Sequence, residues 1–144
     1  MGKRADSVLF ACGNNAIRSP MAAAILRHLH GRRMHVDSCG LRAGELDLFA
    51  VAVMQEIGLD IEAHRPKSFA DLEDTNIDLV ISLSPEAQHG AVELTRTLAV
   101  ELELWPTVDP TAVWGTREQR LGAYRDVRDF LWRRVIERFP PDPA

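Results

Sequence analysis

Apolar and polar positions follow two rhythms along the chain. Ser7-Val8-Leu9-Phe10-Ala11 is a short apolar run of strand length, and Ile77-Asp78-Leu79-Val80-Ile81-Ser82-Leu83 is a clearer one. Met34-His35-Val36-Asp37-Ser38 reads as a further strand. Val100, Leu102 and Leu104 alternate with Glu101 and Glu103, the pattern of a strand with one wetter face. Helical spacing lies between these runs. Met21, Ile25 and Leu29 fall four apart, after Ser19-Pro20 as N-cap and first residue and before a stop near Gly31. Leu48, Val51, Ala52 and Gln55-Glu56-Ile57 mark a second helix closed by Gly58. Ser84-Pro85-Glu86 opens a third. Trp105 to Gly115 reads as a loop. Thr116 with Gln119 is a capping box for a long last helix carrying Leu121, Tyr124, Val127, Leu131 and Val135.

The order β-α-β-α-β-α-β-α predicts an α/β fold: a doubly wound, four-stranded parallel sheet with helices on both faces. Ligands of such sheets bind at the carboxyl ends of the strands, near the switch point, and here the first strand ends at Cys12. With 144 residues in all, 1–139 read as one domain and 140–144 as a disordered tail.

The segment Cys12-Gly13-Asn14-Asn15-Ala16-Ile17-Arg18-Ser19 places a cysteine and an arginine six positions apart, between a strand and a helix. Consecutive backbone N–H groups in such a loop can form a nest for a tetrahedral anion such as phosphate. The helix N-terminus adds partial positive charge, and Arg18 can grip two anion oxygens in a fork. The same field stabilises a Cys12 thiolate, a nucleophile facing the bound anion. Ser19 can donate to that sulfur, cap the helix, or do both. The plain alternative is a buried structural Cys12 with Arg18 on a helix surface.

With Val8-Leu9-Phe10-Ala11-Cys12, Asn15 and Arg18-Ser19-Pro20-Met21-Ala22, the chain resembles the low-molecular-weight protein tyrosine phosphatase family, whose superfamily includes arginine phosphatases and thioredoxin-coupled arsenate reductases. The resemblance runs from about Ser7 to Phe139. It recurs at Asp37-Ser38-Cys39-Gly40-Leu41, at Gly58-Leu59-Asp60-Ile61 with His64, and at Asp109-Pro110. It implies a four-stranded parallel sheet, a cysteinyl-phosphate on Cys12, and Asp109 as the general acid that protonates the leaving oxygen and then activates water. It also implies that Asn15 holds the loop's shape and that His64 supports Asn15; a surface-loop histidine is the other reading of His64. Ser38 either joins that network or is a strand-end serine.

Departures from the family pattern leave the substrate open. Asn14 stands where Gly or His is usual, and tolerates left-handed backbone angles. Ala16 is neither the Ile of the tyrosine phosphatases nor the Thr of the arginine phosphatases. Thr111-Ala112 replace aromatic residues that wall the phosphotyrosine slot, which leaves Trp114 or Trp105 to supply one. Ile17 replaces a second loop cysteine, with Cys39 as the candidate to trap oxidised Cys12 in a disulfide. The arsenate reductase branch carries two further cysteines after the third strand. Ser84–Gly90 has none, which excludes a thioredoxin-linked triple-cysteine relay.

Composition narrows the classes further. Net charge is −4, which argues against a nucleic-acid partner. No apolar run reaches membrane-span length, and the polar start, Met1 to Asp6, reads as neither signal peptide nor myristoylation site. The expectation is a cytoplasmic protein with reduced thiols. The five histidines show no metal-ligand spacing, so neither metal nor cofactor is expected. Arg125, Arg128, Arg133, Arg134 and Arg138 read as a solvated helix face. The expected function is a cysteine-dependent phosphomonoesterase acting on a phosphorylated protein (phosphotyrosine or phosphoarginine) or a small phosphomonoester. Two alternatives stand: a non-catalytic phosphate- or phosphoprotein-binding relative, and an arsenate-type oxyanion reductase using an external thiol.

Overall fold

The computed structural model describes residues 5–73 and 75–141. Positions 142–144 of the expected tail lie outside them, as do Met1 to Arg4 of the polar start. Four strands, β1 (Ser7–Cys12), β2 (His35–Gly40), β3 (Leu79–Ser82) and β4 (Glu101–Leu104), form one parallel sheet in the order β2-β1-β3-β4. Four helices alternate with them: α1 (Arg18–His30), α2 (Leu48–Gln55), α3 (Pro85–Leu94) and α4 (Arg117–Arg138). The chain leaves β1 for β2 on one side and later returns to place β3 on the other. The crevice at the carboxyl end of β1 is therefore the switch point, and Cys12 stands there.

Every residue of β1 is buried, because helices cover both faces of this central strand. Val8, Phe10 and Cys12 join a large core with Met21, Ile25 and Leu26 of α1, Val53 and Met54 of α2, and Tyr124, Leu131 and Val135 of α4. Leu9 and Ala11 face a smaller core with Cys39, Val80 and Ala87 and Ala91 of α3. Phe10 is fully buried, edge-on to Trp105 with ring centroids 5.9 Å apart. Burial of such a side chain contributes about 1.5–3 kcal/mol.

The helix signals act locally where the side chains are free to cap. Ser84 accepts from the Ala87 N–H, and Thr116 and Gln119 make both bonds of the capping box. Asp47 caps α2 through the N–H groups of Phe49 and Ala50, and its other oxygen accepts from the Tyr124 hydroxyl at 2.7 Å. Gly58 (φ 79°) turns the chain away after α2.

Three expectations are corrected. The N-cap of α1 is Ile17 rather than Ser19, whose hydroxyl is drawn to Cys12 instead. The arginines of α4 are not simply solvated. Arg125 and Arg128 both bind Glu56 and hold its carboxyl down to about 2, Arg138 binds Glu103, and the Arg134 guanidinium lies 4.8 Å above Trp105. β4 does not have one clean wet face: Glu101 and Leu104 are exposed at its ends, while Glu103 is tied to Arg138 and to the indole of Trp105. An edge strand has a covering layer for only part of its length.

Candidate active site

Between β1 and α1 the chain wraps the residues Gly13 to Ile17 around the Cys12 sulfur. The carbonyls of this loop are tied outward. Leu41 N–H donates to Cys12 O, Arg42 N–H to Gly13 O, Gly44 N–H to Asn14 O, and Asp47 N–H to Ala16 O. No backbone N–H of Gly13, Asn14, Asn15, Ala16 or Ile17 has a partner among the described residues. Gly13, Asn15 and Ala16 are buried, and amides without partners are rare in protein interiors, so this run beside a pocket suits an anion. The pocket there has a volume of about 210 Å³ and is lined by Cys12, Gly13, Asn14, Ala16, Ile17 and Arg18 from the loop. Gly40 of β2 cannot carry a side chain: a Cβ would lie 2.8 Å from both Asn15 N and Gly13 O.

Behind the loop, a buried hydrogen-bond network fixes its shape. Asn15 is fully buried, with the left-handed φ of 55°. Its Nδ2 donates to Ser19 Oγ (2.8 Å) and Ser38 Oγ (2.9 Å). Its Oδ1 accepts from Lys67 N–H (2.9 Å) and lies 3.0 Å from His64 Nε2. His64 Nε2 also lies 3.1 Å from Asn15 O, so both its neighbours are acceptors and Nε2 carries the hydrogen. Burial pulls the His64 imidazole below the usual histidine range, with Arg27 and Lys67 acting the same way. Ser19 Oγ sits 2.9 Å from Cys12 Sγ and 3.3 Å from Cys39 O. Because Asn15 donates to Ser19 Oγ, the serine hydrogen is left for the sulfur or that carbonyl.

In front, Arg18 lines the pocket while its Nη1 donates to Thr107 O at 2.9 Å. This bond ties Arg18 to the loop that carries Asp109. Asp109 lines the same pocket and accepts from Thr111 N–H (2.9 Å) and Thr111 Oγ1 (2.7 Å). Burial works to raise its carboxyl; the two Thr111 hydrogen bonds and the Arg18 charge outweigh it and leave it below the usual range. Arg42 reaches Asn14 Oδ1 (3.1 Å) and Glu86 (3.3 Å), and these three complete the rim.

The structure thus brings Cys12, Arg18 and Asp109 to one pocket, with Asn15, Ser19, Ser38 and His64 in one network behind it. It also corrects three readings. The left-handed residue is Asn15, not Asn14, which instead accepts from Arg42. Neither tryptophan walls the pocket: Trp105 is buried against Phe10, and Trp114 is 91% exposed and outside the lining. Cys39 pairs in register with Ala11 and faces the α3 side of the sheet, opposite to Cys12, so the two sulfurs are not placed for a disulfide. Burial, with Asp37 nearby, pushes the Cys39 thiol well up.

Lys67, Thr107, Arg42 and Glu86 were not marked by the sequence as site residues, and Thr111 was marked only as the place of a missing aromatic. Thr107 meets Arg18 across 89 positions and Lys67 meets Asn15 across 52, separations at which no local spacing signals contact. Thr111 had a readable cue, two positions after an Asp-Pro whose carboxylate can close a turn.

The sheet order, the cysteine at the switch point and the loop of inward amides define the class: an α/β protein with an anion-sized loop pocket around a cysteine. The chain belongs to the low molecular weight phosphotyrosine protein phosphatase family, which matches residues 7–107. Among its relatives, an arsenate reductase of Bacillus subtilis (strain 168) is 32% identical over 134 residues, covering 90% of this chain and 92% of that protein. A glutaredoxin arsenate reductase of Synechocystis is 34% identical over 129 residues, covering 89% and 92%. A low molecular weight protein tyrosine phosphatase from T. tengcongensis superposes with a TM-score of 0.71 at 25% identity, covering 92% of this chain and 99% of that one. No helix among the described residues is long and apolar enough to cross a membrane.

Proposed function

We propose that the protein is a cysteine-dependent phosphomonoesterase. The observation that carries this reading is the run of partnerless amides, Gly13 to Ile17, around Cys12 with Arg18 beside it. Three phosphoryl oxygens are held by those amides and the Arg18 fork, and the helix dipole of α1 adds to the field. The Ser19 hydroxyl hydrogen turns to the sulfur as charge develops there. The Cys12 thiolate attacks phosphorus, forming the S–P bond as the bond to the leaving group breaks and Asp109 donates its proton to the departing atom. Asp109, now a carboxylate, takes a proton from water. That water attacks phosphorus, the S–P bond breaks, and the thiolate and inorganic phosphate are restored.

Asp109 must be protonated when the first step begins, yet the Thr111 hydrogen bonds and the Arg18 charge hold its carboxyl low. A phosphate dianion in the loop opposes the Arg18 charge and raises it, so substrate binding itself prepares the acid. The rim favours a polar leaving group. Arg42, Glu86 and Thr111 line it, with no ring for a phenyl group to stack on. A phosphoguanidino group finds the Glu86 carboxylate there, with protonated Asp109 to donate to the departing nitrogen, so phosphoarginine suits this pocket better than phosphotyrosine.

A second reading is an arsenate-type oxyanion reductase, favoured by relatives named as arsenate reductases. Cys39 faces away, so the two electrons come in the end from two external thiols. The first attacks the Cys12 sulfur in its arsenate adduct, breaking the S–As bond, forming a mixed disulfide and releasing arsenite; the second reduces the mixed disulfide, leaving as an external disulfide and restoring the Cys12 thiol.

Hydrolysis of p-nitrophenyl phosphate from mildly acidic to neutral pH, wild type beside Cys12→Ser, tests the first reading. Turnover is expected to fall by at least about a thousandfold in the variant while phosphate binding persists. Turnover that survives Cys12→Ser overturns the mechanism. A folded wild type that lacks turnover, but releases arsenite with added glutathione, selects the second reading.

A further inference from the structure

On the other side of the loop from the active-site mouth lies a larger cleft, about 820 Å³ in volume. That is the size of a ligand site. Its apolar surface comes from Pro20 and Ala24 of α1 and from Leu59, Ile61 and Pro66 of the segment after α2. Its charged surface is mainly cationic: Arg27, Arg65 and Lys67, with His28 and His64, against Asp37 and Asp60. Both carboxylates are engaged. Asp37 is held by Lys67 Nζ at 2.7 and 2.8 Å with Arg27 Nη2 3.9 Å away, and Asp60 accepts from Glu62 N–H at 2.8 Å; Arg27 gives its Nε and Nη2 to Val36 O and keeps Nη1 for a ligand. Arg65 is exposed, and its guanidinium has no hydrogen bond or ion pair among the described residues, so it is available to a ligand. An apolar surface with a net positive rim is unusual on a protein of net charge −4.

The cleft is wired to the nucleophile. His64 and Lys67 line it, and both also grip Asn15 Oδ1. Asn15 grips Ser19, and Ser19 touches the Cys12 sulfur. His64 meets the loop through Nε2, which leaves Nδ1 with no partner among the described residues.

We propose that this cleft is a second binding site, for an organic anion with an apolar body, and that its occupancy tightens the catalytic loop's hold on its own anion through His64 and Asn15. The anionic group pairs with Arg65 and Arg27 while the body lies on Leu59, Ile61 and Pro66. Negative charge beside His64 favours the imidazolium, against the opposing charges of Arg27, Arg65 and Lys67 and with those of Asp37 and Asp60. An imidazolium donates more strongly from Nε2 to both Asn15 oxygens, and so holds the loop in its anion-binding shape. Linkage makes the effect mutual: an anion in the loop tightens binding in the cleft.

The test is amide NMR of the full chain titrated with naphthylacetate, an organic carboxylate with no phosphoryl group to transfer. Saturable shifts are expected in Leu59 to Lys67 and in Arg27 and His28. Arg65→Ala, an exposed change remote from the catalytic pocket, is expected to weaken binding about tenfold, the effect of one charge-assisted contact. With the cleft saturated, inorganic phosphate binding to the loop is expected to tighten about fivefold. His64→Gln keeps the cleft but removes the tightening. Shifts confined to Cys12 to Arg18, full affinity in Arg65→Ala, or unchanged phosphate affinity would each overturn the proposal. These are binding readouts, so failure of hydrolysis would not be mistaken for failure of the cleft.

Discussion

The rear and the mouth of the Cys12–Ser19 loop differ in how completely their polar groups are tied down. At the rear, Asn15, Ser19 and Ser38 are fully buried, and the Asn15 side chain alone meets Ser19, Ser38, His64 and Lys67. At the mouth, Asp109, Thr111, Arg42 and Glu86 are exposed side chains in short mutual contacts. The difference teaches where each demand is met. Holding several amides toward one anion requires one backbone conformation, including a non-glycine residue in left-handed space, and only a buried network can over-determine that. Choosing among leaving groups requires chemistry at the rim, where side chains can change without touching the backbone of the loop.

The comparison breaks most visibly at Asn15. Asn15→Ala leaves Lys67 N–H without its acceptor, leaves His64 Nε2 only the main-chain oxygen of residue 15, removes the donor to Ser19 and Ser38, and puts a poorer residue at φ 55°. The expected loss is about 3–5 kcal/mol of stability, in the range of a broken buried network, with activity falling alongside. Urea unfolding measures it, and a loss below about 1 kcal/mol would mean that the rear is not the rigid partner.

Asp109→Asn is the matching change at the mouth. Its unfolding curve is expected to overlay the wild type, while turnover of alkyl phosphates falls by about a hundredfold or more. Aryl phosphates, with better leaving groups, should lose less. Equal losses on both substrate types would remove Asp109 from the role of acid.

The same contrast explains how much was legible beforehand. The sheet could be read because β1 and β3 are continuous apolar runs, and the last helix because Thr116 and Gln119 cap it locally. Cys12, Arg18 and Asp109 were legible as motif positions. Ser19 was misplaced as a cap because a serine before proline looks the same whether its hydroxyl serves the backbone or a sulfur. Lys67 acts on Asn15 Oδ1 through its main-chain N–H, which its side chain does not advertise. The Arg42 bond to Asn14 accounts for an asparagine that looked like a backbone departure.

A smaller effect sharpens the mouth. Thr111→Val removes the 2.7 Å hydroxyl bond to Asp109. That bond holds the carboxyl down, so the carboxyl of the variant rises. An acid with a higher pKa stays protonated to higher pH, so the basic limb of kcat/KM moves to higher pH. Near neutrality, alkyl phosphate turnover is expected to gain about threefold. A limb that moves to lower pH would contradict the assignment of Thr111 as the group that lowers Asp109.

The smallest effect is at Cys39, where the sheet itself separates two thiols. β2 lies directly beside β1, so sequence distance and strand order alone put Cys39 within reach of Cys12. Register decides otherwise. Cys39 stands opposite Ala11, one residue out of phase with Cys12, and the pleat sends neighbouring residues to opposite faces. Cys39 is packed with Leu9, Val80 and Ala87, and its thiol is kept protonated by burial. It therefore neither attacks an oxidised Cys12 nor competes with it for peroxide. Cys39→Ala is expected to cost about 1 kcal/mol, from lost packing alone. Intact mass after mild peroxide should show oxygen added at Cys12 in both wild type and variant, at the same rate. A two-hydrogen loss in the wild type that disappears in Cys39→Ala would show that β2 slips by a residue, and the rear of the loop would then be far less fixed than its hydrogen bonds require.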